Sequence, residues 1–470
     1  MNASFASTAT ALTANASTML AQWYLPLRFA ELPVDIVDRT KLHFLDIIGL
    51  ALAGAAREPG RSVRESMRNL GGAGDCRILG FGDKTPALFA AIANGTMAHS
   101  MEFDDTHNES IAHISNSTIT TALAAGEQFG LSGEQLIVAV AGGNELACRI
   151  GVVAPGALHK VGYHATGVVG TMSATYVASR LQLDATQTRN AVGIAGSQAA
   201  GIMECWSDGT WSKFLHPGFA AHNGLIAANL AKSGFSGPAT VLEGRFGLYR
   251  SHLQDPALSF DFARLVGNLG SKWESRDISF KPFPTAHFIH SFLDALLHLV
   301  REHGIKPGDV KSIHCPIAKH MIPIVCEPVH EKVKPATDWH GRISLQYSLA
   351  EALYLGRLDG RSYAPETLND PAVLELARKI SYSEDSAAPG KEQFKGWVIV
   401  ETNDGRRLER VEEHNRGSSK YPMSVEDVKA KFRDNASFML KPARIEAAMQ
   451  LIGDLEKLAD IRELTALCCQ

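Results

Sequence analysis

Four stretches of the chain, residues 118–129, 133–150, 165–181 and 219–233, are dominated by small and aliphatic side chains and carry little charge. A helix of that composition has no polar face to turn toward water, so it is stable only when buried on most sides. Several such segments in succession predict helices packed on helices. The segment "VDIVDRTKLHFLDIIGLALAGA" adds the same signal, with Ile36, Leu42, Leu45, Ile48 and Leu52 on one face and Gly54 ending the run. At 470 residues and 45% hydrophobic the chain can bury a large core, and its size predicts division into about two or three domains.

Around residue 270 the texture changes. "VKSIHCPIAKHMIPIV" and "GKEQFKGWVIVETNDGRRLERVE" are β-branched runs, the second with an Asn-Asp-Gly turn that reads as a hairpin. "ISLQYSLAEALYLGRL" and "PAVLELARKI" read as helices between them. The expected organisation is a helical domain over 1–275, a smaller α+β unit over 276–416, and C-terminal helices over 417–470 that complete the first domain. "RIEAAMQLIGDLEKLADIRELTAL" reads as the last element.

The formal charge of -4 provides no basic field for a phosphate backbone, which turns the expectation from nucleic acid to small metabolites. No apolar run approaches the roughly 18 residues that cross a bilayer, so no membrane partner is expected. The N-terminal "MNASFASTATALTANASTMLAQW" lacks a basic start and a continuous apolar stretch and reads as a helix lead-in. Seven scattered cysteines without a C-x-x-C pair suit a reducing cytoplasm.

Four short segments carry chemistry that packing does not ask for. "AHSMEFDDTHNESIAHISNST" puts three histidines and four carboxylates between residues 98 and 118. His99, Glu102, Asp104, Asp105, His107 and His113 cannot share one helix face, since neighbours such as Asp104 and Asp105 point about 100° apart. Part of the cluster is therefore loop or helix end. Three readings stand: a metal site, though no H-E-x-x-H spacing is present; acid/base work by a carboxylate and an imidazole; or a helix cap with interior histidines. "KVGYHATGVVGTMSAT" sets His164 between Gly162 and Gly167, where backbone comes close to something. In "GIMECWSDGTWSKFLHPGFAAHNG", Lys213 lies among Trp206, Trp211, Phe214 and Leu215, a setting that calls for an anionic partner or a lowered pKa. His216 and Pro217 then lead into a helix start. "ISFKPFPTAHFIHSFLDALLHLV" places Lys281, His287 and His290 where the composition shifts, and pockets favour domain interfaces. Ser197 lacks a nucleophile elbow, and no P-loop or dinucleotide fingerprint occurs.

"NGTMAHSMEFDDTH", "GYHATGVVGTMSAT", "DGTWSKFLHPGFAAHNGLIAANLAKSGFSGPATVLEG", "KPFPTAHFIHSFLDAL" and "ISLQYSLAEALYLG" resemble, in that order, the landmarks of the MmgE/PrpD family. That family includes 2-methylcitrate dehydratase, cis-aconitate decarboxylase and iminodisuccinate epimerase. The resemblance implies a mainly α fold, with a large all-helical domain, a smaller α+β lid and the active site between them. It also implies a homodimer and catalysis without metal or organic cofactor.

Carried over residue by residue, the family's pocket threonine is Thr106, its glycine-flanked histidine His164, and its lysine before "LHPG" Lys213. Glu102 stands where the decarboxylases open the motif with aspartate. His113 matches the next family histidine if one residue is inserted after Thr106, and Ala286 stands where the decarboxylases have a histidine, with His287 one position later.

This departure puts dehydratase or epimerase chemistry ahead of decarboxylation. The expected proton-transfer pair is His113 and His164, with Lys213 binding a carboxylate of a small di- or tricarboxylate. Asp104, Asp105 and Thr106 are expected to shape the site, and His287, then His290, to contribute from the lid hinge. Glu102, His107, Tyr163 and Lys281 complete the expected substrate-binding set. A hydro-lyase is the leading expectation, an epimerase the alternative, and a carboxylate-binding scaffold without catalysis the third.

Overall fold

The computed structural model describes residues 15–390 and 393–470. The first 14 residues of the expected lead-in lie outside that range; Ala16–Tyr24 is a helix, capped where the Asn15 side chain accepts from the Thr18 N–H at 2.9 Å. The fold is mainly α. Its principal helices are α1 (Val34–Ala55), α2 (Ala87–His99), α3 (Ser115–Phe129), α4 (Gly133–Gly151), α5 (Ala165–Arg180) and α6 (Leu215–Lys232). Among the described residues no helix is long and apolar enough to cross a membrane.

Composition explains the packing. Every α5 residue from Ala165 to Ser179 is buried, as a small-residue segment without a polar face requires. Helix α6 packs against α2, α3, α5 and the Ala185–Ala195 helix. Its crossing with α2 is a glycine contact: a Cβ on Gly95 would meet Gly218 Cα at 2.7 Å, and one on Gly218 would meet the Ile92 carbonyl oxygen at 2.5 Å. The two backbones approach as closely as they do only because both positions are glycine.

The second part of the chain contains α7 (His290–His303), β1 (Val310–Ile317), α8 (Leu345–Leu355), β2 (Ile380–Glu384), β3 (Gly396–Thr402) and β4 (Arg407–Glu412). The strands run in the order β2-β1-β3-β4, with β1 parallel to β2 and antiparallel to β3. The β3–β4 hairpin turns through Asn403, Asp404 and Gly405, the last with φ of 88°. Two expectations change. The run 310–325 stops being a strand at Ile317, and Ile322–Val325 is a helical turn, because Pro323 cannot donate to a ladder and suits a helix start. The C-terminal segment is three elements, Pro442–Gly453, Leu455–Lys457 and Arg462–Leu467, interrupted at Gly453-Asp454.

One apolar cluster joins Phe44 and Leu52 of α1, Met97 of α2 and Ile137 of α4 to Phe432 of α9 (Val425–Ala436). Another joins Phe292 of α7, Ile313 of β1, Leu349 of α8 and Val398 of β3. Between them runs the connection from α2 to α3, tied on both sides. Thr106–His107 pairs antiparallel with Ile278–Ser279. The fully buried Arg342 donates to the Met101 carbonyl at 3.0 Å and the Pro284 carbonyl at 2.9 Å, and Lys431 of α9 donates to the Phe103 carbonyl at 2.8 Å.

Gly218→Ala is expected to destabilise the protein by about 1–3 kcal/mol, because a backbone atom rather than a movable side-chain end fills the space. A urea unfolding midpoint unchanged from wild type would contradict this account of the α2–α6 crossing.

Candidate active site

The residues that follow α2 leave regular geometry at once. Glu102 has φ of 53° and Ile111 φ of 52°, left-handed values that cost free energy for any residue but glycine, most of all for β-branched isoleucine. Such conformations persist where surrounding contacts hold them, and here the Glu102 carbonyl accepts from Lys281 Nζ at 3.0 Å.

A chain of buried polar groups runs through this stretch. The His99 Nδ1–H donates to Asp104, with both carboxylate oxygens at 2.9 Å, and Asp104 also accepts from Asn116 Nδ2 at 3.2 Å. On its other edge His99 Nε2 accepts from Lys213 Nζ at 2.9 Å, and Lys213 is ion-paired with Glu102. The anionic partner that the aromatic surroundings of Lys213 called for is therefore Glu102. A second ammonium, Lys281 Nζ, lies 3.8 Å from Glu102 Oε2, and Trp339 Nε1 lies 3.5 Å from Oε1.

Two further imidazoles face His99. The His113 ring centroid is 4.6 Å away and that of His164 5.5 Å, and the two are 5.8 Å from each other. His113 Nδ1 is surrounded by acceptors: the Asp105 carbonyl at 3.1 Å, Asp104 Oδ1 at 3.1 Å and Thr106 Oγ1 at 3.5 Å. That environment puts the proton on Nδ1 and leaves Nε2 with its lone pair. His164 is the residue before α5, and its Nδ1 lies 2.9 Å from His216 Nδ1. Neither His113 Nε2 nor His164 Nε2 is hydrogen-bonded among the described residues.

Burial and charge set the protonation states. Burial alone would raise the Glu102 and Asp104 carboxyls, but Lys213 with His99 and Lys281 holds Glu102 below its ordinary range, and His113 with His99 does the same for Asp104. Burial, reinforced by Lys213, pushes His164 well below its usual value, and burial brings His99 down to about 4 against the opposing pull of Asp104. Burial also lowers the Lys281 ammonium to about 8, with Glu102 opposing.

The structure brings together Glu102, Asp104, Thr106, His113, His164, Lys213 and Lys281 of the expected set. Asp105 stands behind them. Its Oδ1 accepts from the Ser115 N–H at 3.0 Å at the start of α3, and its Oδ2 is 2.7 Å from His43 Nδ1, so it anchors the α3 terminus and does not face the imidazoles. His107 is not in the cluster: its Nδ1 is 3.0 Å from Ser110 Oγ, because successive side chains of the Thr106–His107 strand point to opposite sides. Tyr163 packs its ring against His252 at 4.9 Å; His290 Nε2 bonds the Thr285 carbonyl at 3.1 Å, and its ring lies 4.7 Å from that of His287, within electrostatic reach of Lys281. His287 accepts from Asn415 Nδ2 at 2.8 Å and lies within electrostatic reach of His113 and Lys281, one layer out.

Sequence reasoning left His99 and His216 without a role, although both stood in segments already singled out. It left out Lys431 and His43 entirely. Ring nitrogens of His99, His113 and His164 lie within 4.8 Å of one another, close enough to suggest a metal. Both nitrogens of His99 are already engaged, by Asp104 and Lys213, and the Lys213 ammonium repels a cation at that point. The trio suits proton transfer better than metal ligation.

The MmgE/PrpD N-terminal domain matches residues 18–261 and the MmgE/PrpD C-terminal domain matches residues 283–457. Cis-aconitate decarboxylase of Homo sapiens is 29% identical over 457 residues, covering 94% of this chain and 92% of that protein. Cis-aconitate decarboxylase of Aspergillus terreus (strain NIH 2624 / FGSC A1156) is 28% identical over 471 residues, covering 95% and 94%. The cis-aconitate decarboxylase-like protein oryM of Aspergillus oryzae is 27% identical over 473 residues, covering 96% and 97%.

Asp105→Ala is expected to lower stability by about 1–3 kcal/mol for each buried donor it leaves unpaired, at His43 and at the α3 terminus. Thermal or urea unfolding reads this directly, and a wild-type midpoint would remove Asp105 from its anchoring role.

Proposed function

The chain belongs to the MmgE/PrpD family, and from that premise we propose that it is a lyase using acid/base chemistry at the carbon beside a carboxylate of a small di- or tricarboxylate. The observation that carries this reading is the facing pair His113 and His164. Each has Nδ1 engaged and Nε2 free of hydrogen bonds among the described residues, with ring centroids 5.8 Å apart beside two buried ammonium groups.

A C–H beside a carboxylate is a very weak acid, so the reaction needs a base within reach and cations where negative charge develops. Depressed by burial, His164 is neutral near pH 7 and is ready to accept a proton at Nε2. Lys213 and Lys281 draw substrate carboxylates and stabilise the enediolate-like charge; Thr106 adds a hydroxyl at the edge of His113. Glu102 holds Lys213 in the way a substrate carboxylate would, and an arriving polyanion competes with it for that ammonium. His164 then gives the proton held at Nε2 to the departing hydroxyl, and a hydro-lyase results.

Ala286 favours loss of hydroxyl over loss of carbon dioxide. Its methyl packs against the cluster that contains Phe214 and Trp339, the latter beside Glu102, and contributes no proton donor there. Decarboxylation is the second reading, favoured by the names of the relatives above.

Incubation in deuterated water with 2-methylcitrate, citrate, cis-aconitate and iminodisuccinate separates the outcomes. Water loss is the expected result; carbon dioxide release would establish the second reading, and stereochemical exchange without mass loss would establish an epimerase. His164→Ala and Lys213→Met are each expected to lower turnover by at least about 100-fold. Near-normal rates in either would remove its role.

The pH dependence follows from Lys281. Only its protonated form binds a carboxylate, so kcat/KM is expected to fall as pH rises through about 8. In Lys281→Arg the limb moves to higher pH, since guanidinium stays charged. An unmoved limb would mean that another group sets it.

A further inference from the structure

We propose that His216 is a proton relay for His164, discharging the imidazolium formed in the pocket to solvent through a cleft behind it. The inference rests on the acid/base reading above and assigns a residue that the reading does not use. His164 Nδ1 and His216 Nδ1 are 2.9 Å apart, so a single proton lies between the two rings. For His164 to accept at Nε2 it must carry that proton on Nδ1, and His216 must accept it there and carry its own on Nε2.

The surroundings fix this arrangement. Gly201 has φ of 122°; its carbonyl accepts from the His164 N–H at 2.8 Å, and a Cβ on it would meet the His216 ring, Cγ at 3.1 Å. One glycine thus positions both imidazoles. His216 also forms part of the wall of a cleft of about 380 Å³, which Thr171, Gln198, Phe219 and Asn223 line as well. Its Nε2 has no hydrogen bond among the described residues.

The proton count closes. The substrate C–H breaks, its electron pair stays on the substrate, and the proton bonds to His164 Nε2. The proton on His164 Nδ1 moves to His216 Nδ1, and His216 releases its Nε2 proton to water in the cleft. When His164 hands its Nε2 proton to the departing hydroxyl, the pair runs backward and His216 takes a proton from water. The relay keeps a net positive charge from persisting on a ring that burial and the neighbouring Lys213 both disfavour as a cation.

His216→Asn tests the relay, because an asparagine side chain can keep a hydrogen bond to His164 Nδ1 but cannot pass a proton through. Its kcat is expected to fall about 10–100-fold with KM nearly unchanged. His216→Ala is expected to lose as much and to recover with added imidazole, which fits the cleft, to a degree that follows the pKa of the azole used. Wild-type kcat in His216→Asn, or no rescue of a folded His216→Ala, overturns the relay alone. If the wild-type protein converts none of the four acids, the acid/base reading fails and the relay falls with it.

Discussion

The Lys213 ammonium, held between Glu102 and His99 in a nearly dry interior, is the interaction on which the site depends. A lone charge there would be prohibitively costly, and removing one partner of such a pair strands the other. The chain from Asp104 through His99 and Lys213 to Glu102 alternates acceptor and donor, so each group fixes its neighbour's protonation state. Asp104 thereby determines the tautomer of His99 directly and, with the Asp105 carbonyl, that of His113. The strained backbone at Glu102 belongs to the same arrangement: Lys281 from beyond the helical layer grips the Glu102 carbonyl and Lys431 from α9 the next one, that of Phe103.

The helices were legible in sequence because a small-residue helix without a polar face has few places to go. The chemistry of residues 98–118 was legible by its density of titratable groups. Which of those groups meet was not, since that depends on a two-residue strand. Pairing of Thr106–His107 with Ile278–Ser279 keeps Thr106 near the imidazoles and sends His107 to the other side. Lys431 left no trace because "SVEDVKAKF" reads as an ordinary helix with a charged face, and only tertiary packing buries that lysine against Asp46 at 2.6 Å and over the Phe103 ring. His216 reads as part of a helix start, and it lies in the first turn of α6. Its second role arises from a partner 52 positions away.

Burial acts in the same direction on the imidazoles and the lysine of this cluster, and the outcome differs because their ordinary proton affinities differ. His99 and His164 lose affinity for protons and so stay neutral. Lys281 also loses affinity, but from so high a starting value that it remains charged at neutral pH. A single physical cause, removal from water, thus yields neutral imidazoles and a charged ammonium side by side. A more open pocket would protonate the histidines more readily and screen the ammonium groups; a drier one without Glu102 and Asp104 would neutralise the lysines as well. The buried carboxylates keep the site in the intermediate regime, and Glu102, by pairing with Lys213, leaves no bare ammonium in the dry interior.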